Sequence, residues 1–180
     1  NIGFHFQQYD DYINTPVIRQ EIRDLIVSNL GHYTVYLPAY DDTYLVKQLS
    51  KIKGVQWQVF SKHCKEKYEF ENIDVRPVNN KEFNISLASC TGILTGGGFE
   101  APAEALFLGK KIIAVPMKGQ YEQQCNAEAL KEMGVPVIPE INNASVKIIE
   151  DWVKNAAPIH VDYPYHSAEI VKKMVDQYAR

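Results

Sequence analysis

Short apolar runs that alternate with amphipathic segments constrain this chain more than any other feature, because few layered architectures satisfy both patterns at once. From residue 33 onward the order reads as a strand at 33–37 (YTVYL), a helix at 42–52 and a strand at 55–60 (VQWQVF). A weaker strand at 73–78 (IDVRPV), a helix at 81–89, a strand at 92–95 (GILT) and a helix at 100–108 follow. A strand at 111–116 (KIIAVP), a helix at 121–133 closed by Gly134, a strand at 135–138 and helices at 145–155 and 167–178 complete it. The run at 55–60 alternates with a period of two, while Leu45, Val46, Leu49 and Ile52 recur at helical spacing. Strands joined through helices by short connections run parallel, since the crossover returns the chain to the end of the sheet where it began. Right-handed crossovers then give an α/β, Rossmann-like, doubly wound parallel sheet of about six strands. Upstream, residues 1–15 (NIGFHFQQYDDYINT) are aromatic, polar and aperiodic, and read as a linker or packing segment ahead of a domain spanning 16–180. Pro16 is followed by apolar residues at 18, 22, 25, 26 and 30, a spacing that predicts a helix ending at Gly31.

The chemistry concentrates where the strand at 92–95 runs into Gly96, Gly97 and Gly98 and then into a helix. Three successive glycines carry a large backbone entropy cost, so a turn that only reverses the chain seldom uses all three. Glycine allows unusual dihedrals and leaves the backbone bare for a ligand. The helix that follows offers unpaired N–H groups and the positive end of its dipole, an arrangement that accepts anions such as a diphosphate. A tight strand–helix turn with no ligand is the alternative. The pattern is neither GxGxxG nor a P-loop. Glu104, one turn into the helix, is placed to accept hydrogen bonds from vicinal hydroxyls such as those of a ribose, or else is a solvated helix glutamate. Glu100 on the same face complements the helix dipole. A second constellation follows the strand at 111–116. Lys118, Glu122, Gln123 and Gln124 gather donors and acceptors at the start of a helix, which suits the hydroxyls of a sugar or, alternatively, a polar cap.

Composition excludes several functions. The 180 residues carry a formal net charge of −3, so no basic field exists for phosphate-backbone contacts and no nucleic-acid partner is expected. No run of about eighteen apolar residues is present to cross a membrane, and no signal peptide is visible. Cys64, Cys90 and Cys125 form neither a CxxC motif nor a disulfide framework, which fits a reducing, cytoplasmic location. His63-Cys64 lacks partners at ligand spacing, so no metal site is expected. Cys125 reads as a buried helix residue and not a nucleophile, Trp57 and Trp152 as packing residues, and His5 and His32 as loop histidines without partners.

The stretch at 96–138, GGGFEAPAEALFLGKKIIAVPMKGQYEQQCNAEALKEMGVPVI, resembles the C-terminal domain of GT-B-fold glycosyltransferases. It is most similar to the family-28 type, which includes the lipid-linked N-acetylglucosaminyltransferase of peptidoglycan synthesis, and more distantly to the UDP-glycosyltransferases. The resemblance rests on Glu104-Ala105-Leu106, Gly109-Lys110, Val115-Pro116, Glu122-Gln123, Asn126-Ala127, Leu130 and Gly134. It implies that Gly97, Gly98, Phe99 and Glu100 meet the diphosphate of a nucleotide-sugar, a substrate and not a cofactor. It implies further that Glu104 binds the ribose, that Glu122 and Gln123 contact the donor sugar, and that Val78, Asn79 and Asn80 hold the base, uridine by family analogy. Gly96 stands where relatives carry histidine or arginine, so charge neutralisation falls to another cation, with Lys118 preferred over Lys62. Retaining enzymes of this fold carry a spaced pair of glutamates around the turn, and the second position here holds Leu108, which favours inversion. The expectation is therefore one half of a GT-B fold, metal-independent, with an acceptor domain N-terminal in cis that supplies the general base and is absent here. The chain alone would bind donor without turnover, and a lipid acceptor would bring it to a membrane surface. An epimerase-like half acting on UDP-N-acetylglucosamine, or a non-catalytic nucleotide-sugar-binding subunit of a split enzyme, are the alternatives.

Overall fold

The strand side chains divide between two apolar layers, and that division organises the fold. In chain order the elements are β1 (Gly3–Phe4), β2 (Ile13–Asn14), α1 (Gln20–Arg23), β3 (His32–Tyr36), α2 (Asp42–Leu49), β4 (Gln56–Ser61) and β5 (Tyr68–Phe70). There follow β6 (Ile73–Pro77), α3 (Asn80–Ser89), β7 (Gly92–Gly96), α4 (Glu100–Phe107), β8 (Lys111–Val115), α5 (Tyr121–Glu132), α6 (Asn143–Asn155) and α7 (Ser167–Tyr178). The computed structural model describes residues 3–178. Tyr33 and Val35 of β3 point to one layer, where they pack with Leu45 and Leu49 of α2 and Ile149 and Trp152 of α6. Ile93, Ile112 and Ala114 face the other layer, shared by Leu87 of α3, Leu106 of α4 and Leu130 of α5. Strands buried on both faces read as continuous apolar runs, which is why GILT and KIIAV show so little alternation.

The main sheet has the order β5-β6-β4-β3-β7-β8. Every pairing in it is parallel except β5 against β6. The chain steps outward from β3 to β4 and β6, then returns to lay β7 on the other side of β3 and β8 beyond it. The direction of winding thus reverses between β3 and β7, and the loops that leave these two strands part from each other.

Two expected elements are corrected. The helix predicted over 18–30 is confined to Gln20–Arg23. Ile18 and Ile22 are buried, but Ile26 is 90% exposed and Leu30 75%. Beyond Asp24 the backbone serves another helix. Ser28 N–H donates to Ala88 O at 3.0 Å and Leu30 N–H to Ser89 O at 2.8 Å, satisfying carbonyls that the end of α3 leaves open. The strand predicted at 135–138 is a single bridge, Ala114 to Val137, because Pro136 and Pro139 lack the N–H groups needed to extend a ladder. The sixth strand is instead β5, which pairs antiparallel with β6 across a two-residue turn in which Glu71 adopts φ +50°. The fold class itself is as expected. Ahead of the sheet, β1 and β2 form a small parallel pair, and Phe6 is buried in the layer shared with α4.

His32 is also corrected. It is a buried β3 residue whose Nε2 lies 3.2 Å from Ser86 Oγ, and Thr34 Oγ1 lies 2.7 Å from the same hydroxyl. Burial holds the His32 pKa below the ordinary histidine value. Cys125 is exposed: it lies in the outer first half of α5 with Tyr121, Glu122 and Gln124, and the helix is buried only from Ala127 onward, at Ala127, Ala129 and Leu130.

Candidate functional site

A cleft of about 490 Å³ opens at the carboxyl ends of β3, β7 and β8, at the reversal of the winding. The loop after β3, Leu37 to Tyr40, forms one wall; Gly96, Gly98, Phe99 and Glu100 form the second; Pro116, Met117 and Lys118 with Pro139 and Glu140 form the third. Phe99 is the N-cap of α4 and provides no side-chain cap. Ala103 N–H returns to Phe99 O at 3.2 Å, the first bond of the helix. The N–H groups of Gly98, Phe99, Glu100 and Ala101 find no acceptor among the described residues. Pro102, in the first turn, brings no N–H of its own, and a proline there keeps the helix intact. The helix start is therefore a set of free donors at the rim of a cleft, reinforced by the dipole.

The three glycines serve different ends, and none of them adopts a left-handed φ. Unusual dihedrals, one reason expected for them, do not apply. A Cβ on Gly97 would lie 2.7 Å from the backbone oxygen of Gln123 and 3.0 Å from Pro116 Cβ, so this position admits only hydrogen. A Cβ on Gly98 would meet nothing within 4 Å, and one on Gly96 nothing nearer than 3.7 Å. Gly97 is small because the protein crowds it; Gly98 faces open space.

The turn is fastened from α5. Gln123 Oε1 accepts from Gly97 N–H at 3.2 Å and from Met117 N–H at 3.0 Å, while its Nε2 donates to Gln120 Oε1 at 2.8 Å. Asn126 Nδ2 donates to Gly97 O at 3.2 Å. One side chain thus ties the loop after β7 to the loop after β8. Phe99 is held from behind by Phe6, with ring centroids 4.9 Å apart.

The expected residues fall into two groups. Gly98, Phe99, Glu100, Lys118 and Gln123 share the cleft, with Gly97 packed directly behind them. Glu122 is exposed and does not line it, because adjacent helix positions point in different directions. Lys118 is exposed and ion-paired with Glu140 across the third wall, which holds its pKa up. Val78, Asn79 and Asn80 lie at the end of β6, away from this cleft, where Asn79 Oδ1 caps α3 by accepting from Glu82 N–H at 3.1 Å. Glu104 is 2% exposed and lines no part of the cleft. Its two oxygens take a forked pair of bonds from Arg19, Nε to Oε1 at 2.7 Å and Nη2 to Oε2 at 3.1 Å. Burial raises the Glu104 pKa and the Arg19 bond opposes that rise. Arg19 and the loop after β3 are what sequence reasoning missed. The rule that ligands gather at the reversal point, applied to the first strand of the sheet, marks that loop; no local signal marks Arg19.

A doubly wound α/β sheet whose reversal point carries a glycine turn and an open helix start defines a domain of the Rossmann-like class. A family model described as "Glycosyl transferase family 1" matches residues 5–157, and the chain belongs to that family. Among solved structures the chain is similar to the glycotransferase of kitacinnamycin, with TM-score 0.58 and 15% identity over 80% of this chain and 42% of that one. It is similar also to glycosyltransferase VinC in complex with dTDP, with TM-score 0.53 and 14% identity over 91% and 41%. The spinosyn forosaminyltransferase SpnP gives TM-score 0.53 and 14% identity over 94% and 52%. At these identities the likeness is one of fold, and the chain spans about half or less of the length of each. No curated protein matches the sequence. Among the described residues no helix is long and apolar enough to cross a membrane.

Proposed function

We propose that the cleft seats the nucleotide-sugar donor of a glycosyl transfer, and that the chain is the C-terminal, donor-binding half of a two-domain enzyme related to the family-28 type. One observation carries this reading: four unpaired amides at the start of α4 open into a cleft at the reversal point of the sheet. A diphosphate there accepts from the amides of Gly98, Phe99 and Glu100 and lies along the helix dipole. The sugar extends toward Lys118 and Gln123, and the base toward Val78, Asn79 and Asn80 at the end of β6. Uridine and thymidine are both candidates, the second because VinC is a dTDP complex. Glu104 reaches a ribose only if Arg19 releases or shares it.

In this reading the reaction inverts the anomeric centre. A base in the other domain takes the acceptor proton, and the helix amides hold the departing nucleoside diphosphate, so binding needs no divalent cation. Calorimetric titration with UDP, dTDP and GDP, each with magnesium and with EDTA, tests it. Saturable binding of a pyrimidine nucleoside diphosphate in EDTA is expected. Failure of all three to bind at millimolar concentration sinks the reading.

A further inference from the structure

We propose that Glu140 is a specificity-determining residue of this site, the carboxylate that accepts from the hydroxyls of the donor sugar, and that Tyr44 positions it. The inference rests on the donor-site reading above. It begins from the order of the strands. A ligand whose diphosphate meets α4 and whose base lies at the end of β6 sends its sugar the other way, because β6 and β8 stand on opposite sides of β3 and β7. On that side the cleft is bounded by the loop after β8 and by Pro139 and Glu140, which follow the bridge between Ala114 and Val137 beyond the sheet edge.

Sugar hydroxyls that donate need acceptors, and those nearby are largely taken. Gln123 Oε1 already accepts from the amides of Gly97 and Met117, and Glu122 does not line the cleft. Tyr40 Oη accepts from Ile141 N–H at 3.0 Å. Two carboxylates line the cleft, and Glu100 is the one at the start of α4, on the wall of the diphosphate. Glu140 is left on the side of the sugar. Its Oε1 accepts from Asn142 Nδ2 at 2.9 Å and its Oε2 from Lys118 Nζ. These bonds, the one from Lys118 foremost, hold its pKa below the ordinary carboxylate value, so the group is charged and accepts strongly. A carboxylate offers about four lone-pair sites, so each oxygen keeps one, and a pair of vicinal hydroxyls can take both. The backbone beside Glu140 is clamped. Residues 139–142 belong to no helix or strand, yet Ile141 gives its N–H to Tyr40 Oη, and its C=O accepts from Tyr44 Oη at 2.8 Å. The two tyrosine rings stack with centroids 6.0 Å apart. Tyr44 itself is outside the cleft, so it acts on a ligand only through this clamp.

Calorimetric titration compares UDP and dTDP with UDP-glucose, UDP-galactose, UDP-N-acetylglucosamine and dTDP-glucose. Glu140→Gln is expected to weaken the sugar nucleotides by roughly tenfold and to leave UDP and dTDP unchanged. Glu122→Gln is expected to change neither. Tyr44→Phe is expected to weaken the sugar nucleotides by about threefold and to add nothing once Glu140→Gln is present. Equal loss for nucleotide and sugar nucleotide in Glu140→Gln, no loss at all, or a sugar-specific loss in Glu122→Gln in its place overturns the inference and leaves the donor site standing. Binding of UDP or dTDP without binding of any sugar nucleotide does the same. A Tyr44→Phe loss that persists in full beside Glu140→Gln overturns the positioning role. Absence of any binding by the unaltered protein overturns the donor site as well. If Glu140→Gln unfolds, by circular dichroism, Glu140→Asp takes its place in the same comparison.

Discussion

Gly97 and Gly98 are neighbours of the same type with opposite reasons to be glycine, and substitution separates them. Gly97→Ala drives a Cβ into the Gln123 carbonyl, a backbone atom that cannot swing aside, and is expected to destabilise by about 1–3 kcal/mol in urea denaturation. Gly98→Ala meets nothing in the protein, so its stability should change little while nucleotide affinity falls. His32 gives a pH signature. Its folded pKa is depressed, so the stability it contributes is present above the ordinary value of 6.5 and is lost as pH falls, because the unfolded chain takes up a proton that the buried ring refuses. Denaturation midpoints at pH 7.5 and 5.5 should differ more in the protein than in His32→Gln, and equal slopes would exclude this assignment. At this scale the sequence revealed the turn but not the wiring. The resemblance marked Glu104 for a ribose, but in the fold it is buried against Arg19, which stands 85 positions away in a segment whose spacing suggested an ordinary amphipathic helix.

Elements whose apolar period is set by the sheet were legible, and those shaped by a neighbour were not. Strands β3, β4, β7 and β8 and helices α2 to α6 fall within a few residues of expectation, because each buries its own apolar residues against the sheet. Residues 24–30 defeat the spacing argument, since their amides close the end of α3. β5 carries three exposed residues and shows no alternation to detect. The link between elements can be weighed directly. Gln123→Ala removes the acceptor shared by Gly97 and Met117 and should cost about 1–2 kcal/mol, read as a lowered denaturation midpoint. Its effect on nucleotide affinity should exceed that of Glu122→Ala, which touches neither loop.

At the scale of the whole molecule, the donor-rich start of α4 lies in a cleft placed where the winding of the sheet reverses. Ligand that binds only the folded state raises stability by about 2.7 kcal/mol at a hundredfold excess over Kd. UDP or dTDP should therefore raise the melting temperature of the protein and fail to raise that of Gly98→Ala at the same concentration, as scanning calorimetry can establish.

The layer behind α4 is completed by residues from far apart. Tyr163 is fully buried with its hydroxyl donating to Phe6 O at 3.1 Å, and Val161 N–H donates to Leu106 O at 3.1 Å. That closure spans most of the sequence, so it is an ordering event that follows sheet formation instead of preceding it. During synthesis the strands and the glycine turn can assemble while Tyr163 is still inside the ribosome, and the helix that presents the amides gains its backing only when that residue emerges. Nucleotide affinity should accordingly be acquired late in translation, after the protease resistance of the sheet.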